Sequence, residues 1–131
     1  MKRVLIAAAV LAAAFTTSAH SQQLRAISML SGNETIVLRP HFLKPDCTAG
    51  VLPDVRVVSA PQNGSIRFEK TTTTIDVPAN APRAKCNGKE IEAVGVVYKS
   101  NDGFTGVERI VMKADFHNGN VSEMVVLVDV R

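Results

Sequence analysis

Three histidines, His20, His41 and His117, have the widest chemical range of any side chains in this sequence. Imidazole ligates metals and exchanges protons near neutral pH. If processing leaves His20 as the first residue, its α-amine and ring nitrogen chelate one metal ion together. His41 or His117 then adds a further nitrogen, and a three-nitrogen set suits Cu(II). Calcium would need six to eight oxygens. Asp76, Asp102 and Glu108 could share one end of a fold, but no Asp-x-Asp-x-Asp-Gly loop is present. Glu90 and Glu92 lie two apart, on one face of an extended segment, and read as a solvated pair rather than a catalytic one. No serine sits in a Gly-x-Ser-x-Gly elbow, so nucleophilic hydrolysis has no motif to rest on.

The two cysteines, Cys47 and Cys86, allow one pairing. Cys-x-x-Cys spacing is absent and no histidine is near either residue in sequence, which points away from redox and zinc chemistry and toward a structural disulfide. A bridge closing about 40 residues contributes about 4 kcal/mol in the chain-entropy model.

The compartment follows from residues 1–21. Lys2 and Arg3 form a positive start, Val4 to Phe15 is an unbroken apolar run, and small and polar residues follow. This is the pattern of a secretory signal peptide, cut after Ala19 or after Ser21. Twelve apolar residues rise about 18 Å as a helix, short of the roughly 30 Å hydrocarbon core. No later stretch reaches spanning length. The processed chain, 22–131 if the cut follows Ser21, is expected in the periplasm or outside a bacterial cell. The Asn-x-Ser/Thr triplets at Asn33, Asn63 and Asn120 would matter only in a eukaryotic secretory route.

Removing the leader changes the charge balance. The whole chain carries 15 Lys and Arg against 12 Asp and Glu, a net +3. Without Lys2 and Arg3 the count is 13 against 12, or +1. The basic residues between Arg39 and Lys89 are interspersed with acidic ones, and only Phe42 and Phe68 among them offer a phenyl ring for stacking. Nucleic acid is not an expected partner.

Sixteen of the 112 residues after position 19 are valine, and no window sustains a helical period. Alternation and β-branched runs predict strands over 24–30, 35–43, 55–60, 65–69, 71–77, 91–99, 107–116 and 121–130. Pro61-Gln62-Asn63-Gly64 and Asn87-Gly88 read as turns, with Asn-Gly supplying positive φ. His117 to Asn120 closes a hairpin in which Ile110, Met112, Ala114, Phe116, Met124, Val126, Val128 and Val130 face the core. The last strand is apolar on both faces, which suits a central strand or one covered by the N-terminal segment. Seven to eight short strands indicate a single all-β antiparallel sandwich, with a small barrel as the rival.

One stretch carries a family likeness. Tyr98-Lys99-Ser100-Asn101-Asp102-Gly103-Phe104-Thr105-Gly106-Val107-Glu108, the Asn118-Gly119-Asn120 turn and the Val125–Val130 strand resemble the C-terminal half of bacterial immunoglobulin-like or cadherin-like modules of exported proteins. Pro61 to Ile66 is similar to the turn that opens them. The resemblance implies an Ig-like sandwich in which Gly103 and Gly106 permit a tight corner while Tyr98 and Phe104 plug the end. Serine stands at Ser100 where the pattern has proline. Glu108 stands where it has aspartate, which removes support for a calcium role there.

The sequence therefore predicts an exported, non-enzymatic binding or structural module of the cell envelope, with one disulfide and no cofactor. Its expected partner is an envelope or extracellular protein. The alternative is a periplasmic copper-binding protein built on His20, with His41 or His117.

Overall fold

The computed structural model describes residues 22–131. The signal segment, its cut site and His20 lie outside the described residues. Seven strands form: β1 (Gln22–Met29), β2 (Glu34–Leu38), β3 (Asp54–Ser59), β4 (Gly64–Thr74), β5 (Glu90–Ser100), β6 (Gly106–Asp115) and β7 (Val121–Val130). A three-residue 3₁₀ turn, Ala84–Cys86, is the one helical element among the described residues. Two separate sheets result, in the orders β1-β7-β6-β3 and β2-β5-β4. The fold is thus a sandwich and not a barrel. The orders β7-β6-β3 and β2-β5-β4 reproduce the G-F-C and B-E-D arrangement of the immunoglobulin fold.

The expected all-antiparallel pairing needs one correction. β1 joins β7 in parallel, from Gln22 opposite Glu123 to Met29 opposite Val130. Parallel neighbours need a long connection between them, and here the rest of the domain supplies it. The parallel partner also explains why β7 is apolar on both faces: it lies between β1 and β6, and Val125 on its outer face is as buried as the core residues.

The β6–β7 hairpin follows its alternation. Met112 faces Met124 and Ile110 faces Val126, and the inward set is buried. With Val37, Val96, Tyr98, Ala114, Val128 and Val130 these residues make the main core, and Phe116 packs against it. Two strand assignments shift. The strand expected over 35–43 stops at Leu38: Pro40 has no N–H to continue the ladder, although its carbonyl still accepts the Val94 N–H of β5. The segments expected at 65–69 and 71–77 are one strand, with Lys70 continuing the ladder opposite Val94. Lys70 is exposed, because on an edge strand its side chain projects into water.

Two of the four edges are kinked by register slips, between Ile36 and Leu38 in β2 and between Val57 and Ser59 in β3. In contrast, β4 pairs with β5 through eleven consecutive positions with no slip.

A second, smaller core sits where β4 ends and β5 begins. Ile75, Cys86 and Ile91 are buried there, with Leu43, Cys47, Ala49 and Val77 packed on them. The Cys47–Cys86 disulfide is formed. It fits a non-reducing environment. Cys47 holds φ +67°, a left-handed conformation unusual for a side chain with a Cβ. The neighbouring turn supports it: the Asp46 carboxylate accepts the Thr48 hydroxyl at 2.6 Å and the Thr48 N–H at 3.1 Å. Those two bonds, the hydroxyl first, hold the Asp46 carboxyl below its ordinary pKa.

Candidate functional site

The residues named by family likeness gather at one pole of the sandwich. Tyr98, on β5, is fully buried, and Glu108, on β6, is nearly so. The Tyr98 hydroxyl lies 3.4 Å from both Glu108 Oε1 and the Asn63 carbonyl. The Glu108 carboxylate accepts the backbone N–H groups of Gln62 and Asn63. One buried side chain from one sheet thus satisfies the turn that carries the chain from β3 to β4. Burial, and secondarily the Glu108 carboxylate, push the Tyr98 phenol up to about 12.

Glycine has two different jobs here. Gly103 (φ +79°) and Gly106 (φ +136°) take left-handed conformations at the corner, and Phe104 packs beside the latter. Gly64 does not have positive φ. A Cβ there would collide with the Lys99 carbonyl oxygen and lie 2.5 Å from Tyr98 Cε2, so glycine is required by close approach to β5 and not by turn geometry, which corrects the sequence expectation. Glu108 is occupied as a structural acceptor. The structure does not join it to Asp76 and Asp102: no cluster of three His, Cys, Asp or Glu side chains occurs among the described residues.

His41 and His117, the histidines among the described residues, fall at the opposite pole. His117, at φ +58° in the β6–β7 turn, has Nε2 3.3 Å from Asp54 Oδ2. His41 has Nδ1 2.8 Å from the Arg39 carbonyl oxygen, and its ring lines a cleft of about 450 Å³. The volume falls within the roughly 300–1,000 Å³ typical of small-molecule sites.

The cleft is assembled from far-apart segments. Gln23 and Arg25 come from β1, Arg39 and His41 from the bend after β2, and Thr73 from the end of β4. Leu38, Pro40, Phe116 and Met124 supply apolar walls. Its charge is one-sided: two guanidiniums, with no carboxylate in the lining. Neither Arg25 nor Arg39 joins an ion pair among the described residues. A Cu(II) ion bound by His41 would sit beside like charges, whereas an anion would meet two planar donors.

Of the cleft residues, sequence reasoning singled out only His41 as a ligand candidate. Gln23, Arg25, Arg39 and Thr73 were missed. They span 23 to 73 in sequence and share no motif, so only the β1–β7 and β4–β5 pairings and the course of the chain after β2 bring them together.

No family model, curated protein or solved structure matches the chain.

Proposed function

We propose that this protein is an exported, disulfide-stapled immunoglobulin-like module of the cell envelope that acts by binding and not by catalysis. Its cleft takes a small organic anion with an apolar body, free or displayed on an envelope partner. The observation that carries this reading is the cleft's composition: Arg25, Arg39 and His41 facing walls of Leu38, Phe116 and Met124 with no opposing carboxylate. Arginine binds carboxylates and phosphates through two parallel N–H donors, and apolar walls reward a hydrophobic body. The signal-like leader and the disulfide support work outside the cytosol. The sequence-predicted carboxylates support a non-enzymatic reading: Glu108 is engaged with a turn, and Glu90 and Glu92 are exposed on β5.

The test is a nuclear magnetic resonance titration of the oxidised, processed protein with 4-phenylbutyrate and with its neutral alcohol analogue. The Met124 methyl and Phe116 ring signals should shift with the carboxylate. Replacing Arg25 and Arg39 together by Gln should weaken binding by tenfold or more, roughly the loss of 1.4 kcal/mol or greater. Equal affinity for acid and alcohol, or shifts confined to other residues, would reject the reading.

A further inference from the structure

Strand β4 presents the longest regular free edge of the molecule. Among the described residues it pairs with β5 alone, and all eleven of its positions are in register. The β2 and β3 edges carry register slips, which twist an edge away from further pairing. An unkinked edge offers a row of backbone donors and acceptors to another strand.

We propose that this edge pairs with the same edge of a second copy of the chain, antiparallel and centred on Phe68. The two sheets would then run on as one, in the order β2-β5-β4-β4-β5-β2. Charge complementarity selects both the partner and the register. A continuous antiparallel sheet made by a two-fold axis needs that axis perpendicular to the sheet. Opposed residues then share a face, so their numbers differ by an even count. Centring on Phe68 sets Arg67 of each copy opposite Glu69 of the other and Phe68 opposite Phe68. The paired segment runs from Gly64 opposite Thr72 to the reverse.

The neighbouring registers fail. Centring on Arg67, Glu69 or Lys70 puts identical charges directly opposite each other, which is destabilising. At the selected register two arginines and two glutamates alternate around the axis. Each Arg67 already holds its own Glu69 at 2.6 Å and Glu34 at 2.9 Å, so the guanidinium is oriented before association. Phe68 is 44% exposed, a large apolar side chain on an edge that an aromatic pair would cover. Lys70 falls opposite Ile66, where its aliphatic stem can lie over the isoleucine.

Charges on an edge also serve to deter pairing, and the two roles give opposite results in solution. Sedimentation equilibrium of the oxidised protein should show a concentration-dependent dimer. Arg67→Glu and Glu69→Arg should each raise its dissociation constant about tenfold or more, by opposing like charges. The combined exchange, Arg67→Glu with Glu69→Arg, should recover most of that loss, because the pairs are restored in reversed sense. A chain that stays monomeric throughout overturns the proposal, as does a dimer indifferent to the single exchanges. Hydrogen exchange of the unmodified protein gives a second readout: alternate β4 amides should slow as concentration rises, and concentration-independent exchange overturns the proposal even if a variant fails to fold.

Discussion

Tyr98 is the chain's one tyrosine, and there is no tryptophan, so its ionisation can be followed by absorbance without interference. Its phenol, with the burial and the Glu108 contact described above, titrates near 12 in the folded state, against about 10 in an unfolded chain. The folded state therefore holds the phenolic proton more tightly. The stability tied to that proton is fully present below pH of about 10 and is lost as pH rises through the folded-state value. We expect a native titration midpoint near 12 that falls to about 10 in denaturant. Glu108→Gln should lower the native midpoint, because it removes the charge that opposes phenolate formation. A native midpoint equal to the denatured one would show that the hydroxyl is not sealed in the core. Tyr98 is buried in the main core and Phe104 packs against it. The sequence did not show that Glu108 serves the turn at residues 62–63, because that contact joins a strand and a turn 45 residues apart.

Among the elements, the β3–β4 crossing depends on the fit between Gly64 and the Tyr98 ring. Gly64→Ala places a methyl group where Tyr98 Cε2 already lies, and the nearest neighbours include backbone as well as ring atoms. The start of β4 must shift or Tyr98 must leave its position, at a cost of roughly 1–3 kcal/mol. Urea unfolding measures it. Gly103→Ala, in contrast open at its would-be Cβ, should lose less, about 1 kcal/mol from conformational strain alone. The reverse ranking would show that the start of β4 yields to the added methyl at little cost, so that close contact is not what fixes glycine at position 64. The legibility of elements followed the same divide between local and long-range causes. Residues 106–130 read directly as a hairpin because both strands alternate and their turn is local. The parallel β1–β7 ladder did not, because a period of two is the same whichever neighbour a strand chooses. The unity of β4 was hidden by Lys70, which looks like an interruption only if the strand is assumed to be interior.

For the whole molecule, the Cys47–Cys86 bridge ties the loop after β2 to the turn before β5, and the second core forms around it. Arg39, Pro40 and His41 belong to the same loop and line the cleft. Replacing both cysteines by alanine should lower unfolding free energy by about 4 kcal/mol in the chain-entropy model. It should also weaken 4-phenylbutyrate binding at temperatures where the main sandwich remains folded. Denaturation curves and the ligand titration, run on one preparation, check both effects. Unchanged affinity in the folded variant would mean that the loop holds its shape without the bridge. Composition and the cysteine pair made the disulfide legible in the sequence, but not its second role as a wall support for a cleft whose other residues lie on β1, β2, β4, β7 and beside the hairpin turn.

The parallel pairing of β1 with β7 has a practical consequence. Both strands run from the cleft pole to the Tyr98 pole, so Gln22 and Arg131 emerge at opposite ends of the sandwich, about 26 Å apart for an eight-residue strand. A handle fused after Arg131 would therefore tether the molecule by its far end. An immobilised chain would stand with its arginine-lined mouth turned toward solution, while a handle fused ahead of Gln22 would shade it.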